Sequence, residues 1–228
     1  MKDIKFVFFD LDHTLWDYHA NSMQALTELY SQFGFSAHVS LEQFLETYQS
    51  INEKLWHRFN QSEIDRDYIK KYRFPMVLKK MKVYLDAKPE ELHDFFVTNC
   101  SSRSKLMPWA RETLTYLYEK YPLAIITNGF PEAQYPKMEA SDLNKYFKEV
   151  IISHEVGCRK PQSEIYHLTL EKMGAKAAQT VMIGDNPKTD VRGALDAGLK
   201  AIFYNPTGKL RSNSTWEIQS LKELVDIL

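Results

Sequence analysis

Five short, largely apolar runs limit what this chain can fold into. They span Ile4–Phe9, Leu123–Thr127, Val150–Ser153, Val181–Ile183 and Ala201–Tyr204. A strand with one wet face alternates apolar and polar residues, whereas an unbroken run fits a strand covered on both faces of a parallel sheet. The last four runs are separated by segments with helical patterning. Pro161 after Lys160 and Pro187 after Asn186 each predict a helix opening, where the missing N–H is tolerated. Gly198 marks the expected end of the second of these helices. Strand–helix alternation of this kind predicts an open α/β fold built on a Rossmann-like parallel sheet.

The stretch from Trp16 to Lys105 differs, with helical periodicity and no convincing strand. Ser40 with Gln43 resembles a capping box. Tyr68, Tyr72, Phe74, Leu78, Met81 and Leu85 recur at helix-like spacing, Pro89 can start a further helix, and Ser101–Ser104 reads as a linker back. Residues 1–15 and 106–228 therefore form the expected α/β core, with residues 16–105 inserted as an all-helical unit. Near the C-terminus, Thr215–Ile218 predicts a short edge strand, and Ser220 a cap for a last helix.

At 228 residues and 44% hydrophobic content, one core plus a smaller unit is affordable. The formal net charge of -1 offers no basic surface for nucleic acid and no polybasic membrane anchor. The first apolar run is too short for a signal-peptide core or a bilayer span, so the expectation is a cytoplasmic protein. Cys100 and Cys158 fit a reducing compartment, with a disulfide between them not expected. His154 near Cys158 lacks a second pair of ligands and makes a weak zinc signal.

Ligands of open α/β sheets bind beyond the carboxyl ends of the strands, so the residues that follow each run carry the chemistry. Asp10 and Asp12 follow the first, and Thr127, Asn128 and Gly129 close the second. Lys160 lies beyond the third, while Gly184, Asp185 and Asp190 follow the fourth. A single strand-terminal Asp is adequately explained as a turn or helix cap. The set is not. Carboxylates brought together resist ionisation unless positive charge sits among them, and a hard divalent cation such as magnesium resolves that conflict. Lys160 adds a fixed positive charge. No Gly-x-Gly-x-x-Gly follows the first run, which argues against a dinucleotide-dependent dehydrogenase.

Asp10-Leu-Asp12-His-Thr14, Thr127-Asn128-Gly129, Lys160-Pro161 and Gly184-Asp185 through Asp190 resemble, in order, the four motifs of the haloacid dehalogenase-like superfamily. The resemblance covers the whole chain and implies a catalytic core with a helical cap. It implies a magnesium-dependent phosphohydrolase in which Asp10 is the nucleophile, forms an aspartyl-phosphate and ligates the metal. Asp12 would be the acid–base group, with its backbone carbonyl on the metal. Thr127, the amide of Asn128 and Lys160 would hold phosphoryl oxygens. Asp185 would be the second carboxylate ligand, and Asp190 would orient Lys160 or a metal-bound water. Dehalogenase members lack the acid two residues after the nucleophile, so Asp12 argues against carbon–halogen chemistry. The third motif departs from the Lys-Pro-Asp-Pro of many relatives, reading Lys160-Pro161-Gln162-Ser163.

Leu15-Trp16-Asp17-Tyr18, Asn21-Ser22, Ile126–Gly129 and His154-Glu155-Val156-Gly157 resemble the house-cleaning pyrimidine 5′-nucleotidases. That implies a nucleoside 5′-monophosphate as the small-molecule partner, with Trp16 and Asn21 as candidate substrate contacts. The alternative is a phosphatase or phosphomutase for sugar phosphates or phosphoglycolate. Of the cap aromatics, most are expected to fill the cap's own interior.

Overall fold

The computed structural model describes residues 1 and 3–228 and divides into two compact units, residues 1–18 with 104–228 and residues 19–103. The larger unit carries strands β1 (Phe6–Phe9), β2 (Leu123–Thr127), β3 (Phe147–Ile152), β4 (Thr180–Gly184), β5 (Lys200–Tyr204) and β6 (Trp216–Ile218). The smaller unit is helical, holding α2 (Leu41–Asn60), α3 (Arg66–Met81) and α4 (Pro89–Ser101), together with nearly all of α1 (Tyr18–Gln32). The core helices are α5 (Ala110–Tyr118), α6 (Pro131–Ala140), α7 (Ser153–Val156), α8 (Ser163–Met173), α9 (Gly193–Asp196) and α10 (Leu224–Ile227).

All six strands pair in parallel, in the order β3-β2-β1-β4-β5-β6. The chain winds outward from β1 through β2 to β3, then returns to the other side of β1 with β4 and winds outward again. The winding reverses at β1, so β1 lies between β2 and β4, where loops diverge and leave a crevice beyond the strand ends. Register fixes what meets there. Phe9 stands opposite Ile125 on one side and Ile183 on the other, so Asp10 emerges level with the ends of β2 and β4.

Strand interiors explain the apolar runs. Every residue of β2 and β4 is buried. Phe8, Ala124, Ile126, Met182, Ala201 and Phe203 share one cluster with Ile165, Tyr166 and Leu170 of α8 and Ala194 of α9. Fully burying a large apolar side chain stabilises a fold by about 1.5–3 kcal/mol, so this layer holds the strand ends in place.

Two local expectations differ from the structure. Pro161 does not open a helix: Arg159 N–H donates to Gln162 Oε1 and Gln162 N–H to Arg159 O, a tight turn that delays α8 to Ser163. The third strand begins at Phe147, because its polar first half, with Lys148 exposed, hides from an apolar-run reading. Asn186 does cap the turn that precedes α9, its side chain accepting from the amides of Lys188 and Thr189. Ser220 forms a complete capping box with Glu223. Both cysteines are free thiols, and among the described residues no helix is long and apolar enough to cross a membrane.

Within the helical unit, α2, α3 and α4 close around one charged side chain. Arg73 is 4% exposed and sits near the rings of Phe96, Tyr48 and Phe74, 5.0, 5.6 and 5.9 Å from their centres. One guanidinium nitrogen donates to Asn52 Oδ1 at 3.1 Å; another lies 3.3 Å from His93 Nδ1. Burial, then the charges of Arg73, Lys70 and Arg66, push His93 down to about 3. Its ring is therefore neutral and accepts from Arg73. The unfolded chain protonates this histidine near its ordinary value and the folded chain does not, so stability falls as pH drops below about 6.5. After allowance for solvent screening, the expected loss is roughly 1–2 kcal/mol by pH 5. Urea unfolding at pH 7 and pH 5 measures it; His93→Gln should narrow the gap, and an unchanged gap contradicts the assignment.

Candidate active site

The crevice beyond β1 collects four groups from three loops. Asp10 follows β1, Lys160 lies in the turn before α8, and Asp185 and Asp190 follow β4. Lys160 Nζ donates to Asp10 Oδ1 at 2.6 Å and to Asp190 Oδ1 at 2.7 Å. One oxygen each from Asp10, Asp185 and Asp190 lies within 4.8 Å of the others. Thr14 ties the first and last loops together. Its hydroxyl lies 3.2 Å from Asp185 Oδ1 and 3.4 Å from Asp10 Oδ2, and it accepts from the Asp185 amide at 3.1 Å.

Backbone geometry makes these approaches feasible. His13 sits at φ 67°, a left-handed turn unusual for a residue with a side chain, and Leu15 and Trp16 then both donate to Leu11 O. That reversal brings Thr14 back over Asp10. At Gly184 a Cβ would stand 2.4 Å from the Asp190 carboxylate, so only glycine lets that helix turn close on the strand end. Asn128 fixes Lys160 by a reciprocal pair: its Nδ2 donates to Lys160 O and its Oδ1 accepts from Lys160 N, both at 2.9 Å. Thr127 Oγ1 accepts from the Gly129 amide at 3.1 Å, shaping the turn between them.

Three carboxylates face one ammonium here, and the electrostatics record the excess. Burial, with the charges of Asp190 and Asp185, holds Asp10 well above the carboxylate range despite Lys160. Burial and Asp190 push Asp185 up to about 7. Burial disfavours the charged form of Lys160, yet Asp10 and Asp190 outweigh it and hold the ammonium protonated. An all-oxygen cluster that repels its own charge fits a hard divalent cation, which would supply the missing positive charge.

Asp12 is set apart from this cluster. Lys137 Nζ donates to its Oδ1 at 2.6 Å and Gln134 Nε2 to its Oδ2 at 2.8 Å. Burial alone would raise this carboxyl, but Lys137, then Gln134, bring it below its ordinary value. Trp16 is fully buried, with Lys137 Nζ 4.5 Å from its ring centre. Asn21 lies in α1 of the helical unit and is buried. Sequence reading missed Lys137 and Gln134. Three residues apart on α6, they look like part of a solvated helix face, and only the nearness of α6 to the Thr127–Gly129 turn hints otherwise.

A family model described as haloacid dehalogenase-like hydrolase matches residues 7–204. The chain belongs to the haloacid dehalogenase-like hydrolases. It is 30% identical to the HAD-hydrolase YfnB of Bacillus subtilis across 100% of this chain and 97% of that one. The crystal structure of YfnB bound to magnesium superposes with a TM-score of 0.89 at 29% identity, covering 99% of this chain and 98% of that one. The pyrimidine 5′-nucleotidase YjjG of Escherichia coli is 28% identical over 97% of this chain and 96% of its own. The pyrimidine 5′-nucleotidase PynA of Streptococcus pneumoniae is 29% identical over 98% and 94%. This haloacid dehalogenase-like hydrolase thus has relatives of matching length among phosphatases.

Proposed function

We propose that the chain is a magnesium-dependent phosphomonoester hydrolase that works through an aspartyl-phosphate on Asp10 and takes nucleoside 5′-monophosphates, pyrimidine ones first. The observation that carries the chemistry is the crowding of Asp10, Asp185 and Asp190 within 4.8 Å around Lys160. Similarity along the whole chain to two named pyrimidine 5′-nucleotidases supports the substrate class.

Asp10, the backbone carbonyl of Asp12 and Asp185 would hold magnesium, which supplies positive charge against phosphate and carboxylate alike. The side chains do the rest. An Asp10 oxygen bonds to phosphorus while the bond from phosphorus to the ester oxygen breaks, and Asp12, in the protonated form that Lys137 and Gln134 disfavour at rest, gives that oxygen its proton. Water then bonds to phosphorus, its proton passes to Asp12, and the electron pair of the Asp10–phosphorus bond returns to Asp10. Thr127, the Asn128 amide and Lys160 stabilise charge spread over the phosphoryl oxygens. Asp190 keeps Lys160 in place.

Two measurements test this reading. Chelating divalent metal should stop hydrolysis and added magnesium restore it; activity persisting in metal-free buffer contradicts the metal role. A panel of nucleoside monophosphates, modified pyrimidine nucleotides and sugar phosphates should show nucleotide turnover. Turnover of sugar phosphates with none of nucleotides removes the substrate assignment and leaves the core chemistry standing.

A further inference from the structure

Helix α6 buries two polar side chains where apolar ones would stabilise the fold more. Gln134 is 1% exposed and Lys137 is 4% exposed. Removing an ammonium from water costs several kcal/mol, and a buried ion pair often recovers no more than it loses. Both residues converge on one carboxylate, and each takes a different oxygen of Asp12. Gln134 Oε1 is buried with no hydrogen-bond partner among the described residues, so its amide is placed for its donor alone. Space is reserved for it as well. A Cβ on Gly129 would fall 1.5 Å from Gln134 Nε2, so the glycine of the Thr127–Gly129 turn is what lets that side chain reach Asp12. Lys137 is steadied from its other side by the rings of Trp16 and Tyr18, 4.5 and 5.6 Å away.

We propose that Lys137 and Gln134 are positioning residues that clamp the Asp12 carboxylate in a single orientation for the water-activating half of the reaction. The inference rests on the reading of Asp12 as the acid–base group. Each donor occupies one lone pair on its oxygen and leaves another to receive a proton. In that half-reaction the water oxygen bonds to phosphorus, the water proton moves to Asp12, and the phosphorus–Asp10 bond breaks with its electrons returning to Asp10. A carboxylate free to turn would meet the attacking water less often.

Aryl phosphate separates the two halves, because nitrophenolate leaves without needing a proton. Stopped-flow hydrolysis of p-nitrophenyl phosphate with magnesium is the test. Lys137→Met should lower steady-state kcat by roughly 10²-fold, the lower end of general-base contributions, and lower KM with it, so that kcat/KM changes little. It should keep a rapid burst of one nitrophenolate per active site. Gln134→Met keeps the side-chain length and removes only the donor; it should show the same pattern at roughly 10-fold, and it carries the test if Lys137→Met does not fold. Lys137→Arg should restore part of the turnover. Turnover within twofold of wild type in both Met variants overturns the clamp, and so do burst and turnover falling together. Failure of the wild-type enzyme to hydrolyse any phosphate ester overturns the phosphatase reading and the clamp with it.

Discussion

Asp10→Asn should remove turnover and leave the protein as stable as before, or more so. The first half follows from chemistry. An amide oxygen has the size of a carboxylate oxygen but cannot serve as the nucleophile, and loss of a nucleophile from a concerted site costs on the order of 10⁴–10⁶ in rate. The second half follows from the electrostatics. Asp10 is a buried acid whose charge is opposed by burial and by Asp190 and Asp185. Substituting Asn relieves that repulsion. Lys160 stays paired, because Asp190 remains 2.7 Å away and the Asn carbonyl can still accept from it. Thermal unfolding in metal-free buffer, beside a turnover assay on an aryl phosphate, reads both halves. Full activity in this variant eliminates Asp10 as nucleophile. A lowered unfolding midpoint contradicts the account of crowded charge.

The same physics decides what could be read from the residues in order. Strands buried on both faces announce themselves, and three of the four motifs fall at strand ends because parallel topology puts them there, while Lys160-Pro161 follows α7. The polar start of β3 did not announce itself, since Lys148 stays exposed and breaks the apolar run. Nor did the late start of α8, which depends on the Arg159–Gln162 turn, a hydrogen-bond arrangement with no compositional signature. The gathering of Asp10, Asp185 and Asp190 around Lys160 was legible because like charges in one crevice need an explanation. Lys137 and Gln134 were not, because a lysine three residues from a glutamine on a helix has a solvated-face explanation that needs nothing more. Thr14 falls between the two cases. It stood inside the first motif, but its tie to Asp185 across 171 positions depends on the reversal at His13, a backbone turn that residue type does not predict.

Breaking the Lys160 pair from the other side has the opposite consequence. Lys160→Met keeps the volume of the side chain and removes its charge, which leaves Asp10 and Asp190 buried with no cation between them. Lys160 is 2% exposed, so water cannot take its place at no cost. Removing one partner of a buried ion pair destabilises by about 3–5 kcal/mol. In a chain of this size that corresponds to roughly 10 °C in the unfolding midpoint. The deficit depends on pH with a definite sign. Acids whose folded pKa lies above the unfolded value stabilise the fold at low pH and lose that contribution as pH rises. The gap between wild type and Lys160→Met should therefore be wide at pH 8 and narrower at pH 5. Adding Asp190→Asn to Lys160→Met should return most of the lost stability at pH 8, because it removes one of the stranded charges, while turnover stays absent. A double variant no more stable than Lys160→Met would place the cost in packing around the lysine stem instead. Taken with Asp10→Asn, this pair of outcomes separates charge balance from contact: one 2.6 Å ion pair, broken at the acid, spares the fold, and broken at the lysine, weakens it.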